Sequence, residues 1–262
     1  MTVRIGTSGW QYADWRGRFY PSAAPTRTWL EHYVSQFDCV EVNSTFYRLP
    51  AEGVFAGWAA RAPDGFEYAL KVSRYITHIR RLGEPAEPIR TFLERAAKLG
   101  GRLGPLLLQL PPRFAVDPGR LRDACAAVPA TQRLAVEFRD PSWFREDVAT
   151  ILRERDAALC LTDRLGELRE PPWATASWGY VRFHQAGPDD WSYSEPAMRT
   201  WAERLRSLWG PDADVYAFFN NDPGAAAIRD AALFGRICAT SGLTVSRVPQ
   251  PAAVYSISNV RP

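Results

Sequence analysis

Leu134-Ala135-Val136-Glu137-Phe138-Arg139-Asp140 alternates apolar with polar or small residues, and that alternation decides how the chain folds. Side chains along a β-strand point to opposite faces in turn, so Leu134, Val136 and Phe138 share one face and Ala135, Glu137 and Arg139 the other. A strand buried in a parallel sheet ordinarily reads as an almost continuous apolar run. Here one parity is apolar throughout, as a face packed under helices requires. The other begins small and ends in a carboxylate and a guanidinium.

Working outward, seven more short apolar runs occupy residues 3–6, 39–43, 68–73, 105–110, 158–163, 180–184 and 215–220. Most are bounded by Gly, Pro, Asp or Asn, as strands are. Helical patterns lie between them at 26–37, 51–62, 88–99, 118–127, 144–155, 195–209 and 224–240. Asp117-Pro118 and Ser194-Glu195-Pro196 are helix starts, and Gly100, Gly210 and Gly242 are stops. Residues 164–179 are rich in Pro and Trp and have no helical period, so the sixth connection is expected to be irregular. Strands alternating with helices imply parallel pairing through right-handed crossovers. Eight such units in 262 residues predict an α/β fold of the (β/α)8 TIM-barrel type, a parallel eight-stranded barrel. No linker or repeat divides the chain. Residues 1–243 are expected to form one domain, with 244–262 a C-terminal tail packed on it or fraying.

Composition narrows the function. The net charge of +3 is too small to argue for nucleic acid, and 46% hydrophobic content is ordinary for a globular chain. Of the 32 basic residues only Lys71 and Lys98 are lysines. Cys39, Cys125, Cys160 and Cys238 form no C-x-x-C pair and read as buried, reduced thiols. The N-terminus runs straight into a strand, and no apolar run is long enough for a membrane span. The expectation is a cytoplasmic protein without membrane partners.

The parity of residues 134–140 recurs. Glu41 and Asn43, Lys71 and Ser73, Gln109, Glu137 and Arg139, Asp163, Arg182 and His184, and Asn220 all fall on the interior parity near the ends of their runs. Barrel enzymes carry their sites at the C-terminal ends of the strands. The competing reading is that Glu41, Glu137 and Asp163 merely pair with Lys71, Arg139 and Arg182. An interior built only for stability would do better with apolar residues, because buried ions cost several kcal/mol each unless paired or used.

The segments Ile5-Gly6-Thr7-Ser8-Gly9-Trp10, Val40-Glu41-Val42-Asn43-Ser44-Thr45-Phe46-Tyr47, Ala69-Leu70-Lys71-Val72-Ser73-Arg74, Leu108-Gln109-Leu110-Pro111-Pro112, Glu137-Phe138-Arg139-Asp140-Pro141-Ser142-Trp143 and Phe219-Asn220-Asn221-Asp222 resemble the YecE-like family of unknown function. The matches run in order from residue 5 to about 240. The resemblance implies a TIM-barrel-like fold and no assigned activity. His184-Gln185 departs from the family's usual His-Gly, and the tail after Gly242 is atypical.

Three chemistries fit these residues. The leading expectation is a metal-independent enzyme acting on a phosphorylated or otherwise anionic polar substrate. Glu137, Asp163 and His184 would move protons, with Lys71 as a further catalytic candidate. Lys71, Arg139 and Arg182 would hold the anion, with Arg74 and His78 on the same rim unless they lie on a solvated loop, and Glu41, Asn43, Gln109 and Asn220 would orient groups. No cofactor is expected. The first alternative is a divalent-metal hydrolase on nucleic acid or sugar phosphate. Glu41, Glu137, Asp163 and His184 suit such a metal, but only three histidines exist and no H-E-x-x-H spacing occurs. The second is a non-catalytic binding module. Trp10 and Tyr12 head an aromatic first loop, and Trp191 and Tyr193 lie in the seventh; such a rim could stack on a sugar or base, although long loops also need apolar anchors. Oligomeric state is not legible.

Overall fold

The computed structural model describes residues 1–250. Eleven strands occur there: β1 (Thr2–Thr7), β2 (Cys39–Val42), β3 (Glu67–Lys71), β4 (Leu103–Gln109), β5 (Leu134–Glu137), β6 (Ala158–Leu159), β7 (Leu161–Arg164), β8 (Glu167–Leu168), β9 (Gly179–Phe183), β10 (Asp214–Phe219) and β11 (Thr244–Val245). The helices are α1 (Trp29–Gln36), α2 (Ser44–Tyr47), α3 (Glu52–Arg61), α4 (Ala86–Ala96), α5 (Pro118–Ala127), α6 (Glu146–Glu154), α7 (Glu195–Leu208) and α8 (Ala226–Thr240). Every expected apolar run contains a strand, and every expected helical pattern contains a helix. Asp117 and Ser194 cap α5 and α7 by accepting hydrogen bonds from Arg120 N at 3.0 Å and Ala197 N at 3.4 Å. Each cap is followed by a first-turn proline.

The strands do not form the single closed eight-stranded sheet that the pattern predicts. They form a six-stranded sheet in the order β11-β1-β10-β9-β7-β8 and a five-stranded sheet in the order β2-β3-β4-β5-β6. One cause is visible at Cys160, which splits the expected run 158–163. Its N–H donates to the Val136 carbonyl at 2.8 Å, ending the parallel pairing of β6 with β5. Beyond it, β7 folds back antiparallel on β8. The two-residue turn between them, Leu165-Gly166, has φ of 61° and 76°. Left-handed conformations at both central residues match the twist of a tight hairpin. The irregular sixth connection is therefore free of helix but carries a hairpin.

The chain divides into two compact units. The first comprises Met1–Glu41, Thr162–Arg169 and the described residues from Val181 onward. Its core is aromatic: Phe183 lies 4.6 Å from Phe219, 5.1 Å from Trp201 and 5.4 Å from Phe234, ring centre to ring centre. Parallel pairing of β1 with β10 brings Gly6 opposite Phe218, and a Cβ at Gly6 would sit 2.4 Å from the Cys39 carbonyl. Only glycine permits that approach. Residues 244–246 run along β1, with Ser246 N donating to the Val3 carbonyl at 2.9 Å. The rest of the expected tail, 251–262, lies outside the described residues.

The second unit comprises Val42–Leu161 and Glu170–Tyr180. Leu106, Leu108, Leu134 and Val136 are buried on the apolar parity. Trp143 stacks on Phe138 at 4.8 Å and donates its indole N–H to the Phe114 carbonyl at 2.6 Å. All four cysteines are buried free thiols. Burial pushes Cys125 up to about 11 and Cys238 up to about 12, which makes them inert. No described helix is long and apolar enough to cross a membrane.

Candidate functional site

In the second unit the strand ends of β3, β4 and β5 bring together a cationic group. Glu137 is buried and accepts from Gln109 Nε2 at 2.8 Å on each carboxylate oxygen. Its Oε1 also accepts from Arg139 Nε at 2.9 Å. That bond aims the Arg139 fork and uses Nε alone, leaving both terminal nitrogens of a partly exposed guanidinium without a protein acceptor among the described residues. Lys71 is buried, with its ammonium 4.2 Å from the centre of the Phe46 ring. Thr45 Oγ1 donates to the Lys71 carbonyl at 2.7 Å and fixes the end of β3. Asn43 sits half-buried just before α2, and Arg74 is exposed at the start of the turn after β3.

That turn is a π-helical segment, Tyr75–Ile79. It returns His78 to the same group, edge-on to Phe46 at 4.9 Å, with Nδ1 2.9 Å from Thr77 Oγ1. Burial lowers the His78 pKa, and the charges of Lys71, Arg139 and Arg74 lower it further, while Glu137 opposes them. A neutral imidazole at physiological pH, ringed by cations, is able to accept a proton. His78 was expected on this rim from its place after the third run, not from parity, and the wide turn brings it back past the strand end.

In the first unit the charges expected to face a ligand are mostly closed on one another. Arg182 and Glu41 are almost fully buried and form a two-pronged pair, Nε to Oε2 at 3.0 Å and Nη2 to Oε1 at 2.8 Å. Such a pair offers an anion no free fork. Asp163 departs from its expected direction. Its Oδ2 accepts from Trp201 Nε1 at 2.6 Å and its Oδ1 from Tyr193 OH at 2.9 Å, so the side chain faces α7 and its approach rather than a ligand space. Trp10 is buried, and its carbonyl takes the Tyr20 hydroxyl at 2.5 Å. It serves as the loop anchor that the competing reading described.

The remaining candidates of this unit line an open cleft of about 780 Å³, with Tyr12, Asp14, His184, Trp191, Asn220 and Asp222 among its walls. The Asn220 amide lies 2.9 Å from His184 Nδ1. With the amide donating, a neutral His184 carries its proton on Nε2. Asp222 was not singled out from sequence, although the signal was present: it follows Asn220 by two residues and keeps the same parity beyond the strand. Its turn is tightly held. Trp15 Nε1 donates to the Asp222 carbonyl at 3.0 Å, Gly224 N to Asp14 Oδ2 at 2.8 Å, and Arg18 Nη1 to the Gly224 carbonyl at 3.2 Å. Gly224 and Ala225 both have left-handed φ, 65° and 62°. A left-handed alanine persists only where its surroundings impose it. The Asp222 carboxyl is pushed up to about 7, mainly by burial. Its Oδ1 takes no hydrogen bond; the adjacent Tyr12 hydroxyl gives its proton to the Ser8 carbonyl at 2.5 Å.

No three His, Cys, Asp or Glu side chains among the described residues gather into a group that could hold a metal ion. Residues 4–253 match the family model described as protein of unknown function DUF72. The UPF0759 protein YecE of Escherichia coli is 26% identical over 250 residues, covering 86% of this chain and 88% of its own. The UPF0759 protein YunF of Bacillus subtilis is 24% identical over 259 residues, covering 86% and 90%. The crystal structure of a DUF72 family protein from Thermotoga maritima superposes with a TM-score of 0.77 at 28% identity, over 90% of this chain and 99% of that one. One from Enterococcus faecalis gives 0.74 at 20% identity, over 90% and 95%, which speaks for the fold alone. With its sequence matched almost end to end and its α/β sheets shared with solved members, the chain belongs to the DUF72 family.

Proposed function

We propose that the chain is an enzyme that binds a phosphorylated or otherwise anionic polar substrate at the C-terminal ends of β3 and β5 and moves a proton there. The observation that carries this reading is the gathering of Lys71, Arg74 and Arg139 about His78, whose combined effect outweighs that of the carboxylate Glu137. Lys71 and Arg139 hold the anion. Glu137, steadied by Gln109, sets the direction of the Arg139 fork, so it acts as a positioning residue here rather than as the base expected from sequence. His78, kept neutral by burial and by the neighbouring cations, is the general base. An anion bound between Lys71 and Arg139 would raise the His78 pKa and prepare it to hold the proton it receives. No metal or cofactor enters this account.

Calorimetric titration of the whole chain with inorganic phosphate, sulfate and citrate tests the binding half. At least one should bind, and Lys71→Met and Arg139→Gln should each weaken it about tenfold or more, as the loss of a charge-assisted contact would. No binding by any of the three overturns the reading. A phosphorus NMR screen of sugar phosphates and phosphodiesters tests the catalytic half, with turnover expected to fall about a hundredfold or more in His78→Gln. A chain that binds these anions and converts none is a binding module instead.

A further inference from the structure

The cleft of the first unit is built for a different kind of molecule. Its volume, about 780 Å³, falls in the range of small-molecule sites, and it is open to solvent. Trp191 stands at its wall with 43% of its surface exposed, an apolar ring that gains nothing from water. The ring is carried on a braced segment. Asn221 Nδ2 donates to the Trp191 carbonyl at 2.7 Å, and Tyr193 N donates to the buried Asp230 at 2.8 Å. Asn221 Nδ2 also reaches Asp230 Oδ2 at 2.7 Å, so a single buried pair holds the segment in place. Rigid presentation of an exposed aromatic lowers the ordering cost of binding.

The same cleft is lined by groups that hydrogen-bond in both senses: the Asn220 amide, the His184 imidazole and the Asp222 carboxyl with its unsatisfied Oδ1. A buried oxygen without a donor costs about 1–3 kcal/mol, which a ligand hydroxyl would recover. Asp14 and Asp222 share the lining with Arg164, so the cleft carries charge of both signs and favours neither a free anion nor a free cation. Burial pushes the Asp222 carboxyl up to about 7, so near neutral pH it is able to donate in its protonated form and accept in its ionised one. A hydroxyl has the same double character. The C–H edges of a sugar ring match the electron-rich face of an indole.

We infer that this cleft binds an uncharged, hydroxyl-rich ring, a sugar unit or glycoside, stacked on Trp191 and hydrogen-bonded to Asn220, His184 and Asp222. The inference is independent of the anion site, since the cleft residues all belong to the first unit.

Saturation-transfer NMR on the full chain tests it, with the methyl glycosides of glucose, galactose, mannose and ribose as probes and choline as a cationic control. At least one glycoside should show transfer and choline none. Trp191→Ala should weaken binding about tenfold or more, and Trp191→Phe should restore part of it, since a smaller ring still stacks. Tyr75→Ala, which removes an exposed aromatic of the second unit, should change nothing. Trp191 is exposed, so its replacement leaves the core intact, and circular dichroism verifies that. Absence of transfer to all four glycosides, transfer that survives Trp191→Ala, or binding of choline in their place would each overturn the inference.

Discussion

The two units treat buried charge in opposite ways. In the first, Glu41 closes on Arg182, Asp163 on Tyr193 and Trp201, and Asp230 on Asn221 and Arg229. What is left over is one carboxyl, Asp222, which burial drives toward its neutral form. In the second, cations predominate about His78, and the carboxylate Glu137 is itself held by Gln109 and Arg139. There the neighbouring cations and burial together drive an imidazole toward its own neutral form. Closed pairs consume the chemistry that brought them together, whereas an unbalanced group keeps it. The difference between the units is thus one of bookkeeping at each strand end and not of residue type.

The sharpest way to break this comparison is at Glu41 and Arg182. Glu41→Gln leaves a buried guanidinium facing an amide and should cost about 3–5 kcal/mol of stability, as should Arg182→Met, which strands the carboxylate. The double variant Glu41→Gln with Arg182→Met should cost less than the sum of the two, because the second change removes the stranded charge. Urea denaturation measures all three. Costs below about 1 kcal/mol would mean the pair is solvated and open to a ligand after all, which would return Arg182 to the anion-binding set.

A second test uses the opposite directions in which Asp222 and His78 are shifted. Asp222 is raised from 3.8 to about 7 in the folded chain. Its protonated form therefore favours the folded state, a contribution fully present below the unfolded value and lost as pH rises through about 7. Tyr12, Asp14, Tyr33, Glu41 and Arg182 are the titratable or charged groups that act on it. Asp222→Asn removes this loss, so the variant should gain on the native chain between pH 4 and pH 8 by about 2–4 kcal/mol. His78 is lowered, so its neutral form favours the folded state; that stability is present above the unfolded value near 6.5 and is lost as pH falls toward the folded one. His78→Gln should flatten the acid side of the same curve. Lys71, Arg74, Arg139 and Glu137 are the charges that act on it. Denaturation midpoints across pH for the two variants check both signs, and a shared sign would end the contrast between the units.

Why the strand ends were legible and their use was not follows from what parity encodes. Alternation in residues 134–140 placed Glu137 beside Gln109 and Arg139 correctly, because strand pairing carries neighbouring side chains of one parity together: Gln109 stands in register with Glu137. The same alternation failed at Asp163. There the run breaks at Cys160 and restarts as the first arm of a hairpin, and the direction of the next side chains is no longer continuous with the strand before. That break, together with the separate sheets, is also why eight apolar runs did not yield one closed sheet. Asp222 was within reach of the parity rule and lay three residues past the end of β10. His78 was not, because a π-helical turn has no two-residue period. Trp191 sits in a segment held by Asn221 and Asp230, contacts that no local pattern announces.

The smallest expected effect bears on Asp163, whose role separates a closed charge from a working one. Its carboxylate takes three donors: Trp201 Nε1 at 2.6 Å, Tyr193 OH at 2.9 Å and Gly166 N at 3.1 Å. Tyr193→Phe removes one of them and keeps the ring packed edge-on to Phe183 at 5.5 Å. Two donors remain, so the carboxylate is not stranded, and the loss should be about 1–2 kcal/mol. Phosphate binding by the second unit should be unchanged, since no charge acting on His78 is altered. Measuring both quantities on the same variant makes the outcome decisive. A loss of stability with intact anion binding leaves Asp163 a brace between β7 and α7. Intact stability with anion binding or turnover lost would instead restore to Asp163 the proton-handling role that its sequence position suggests.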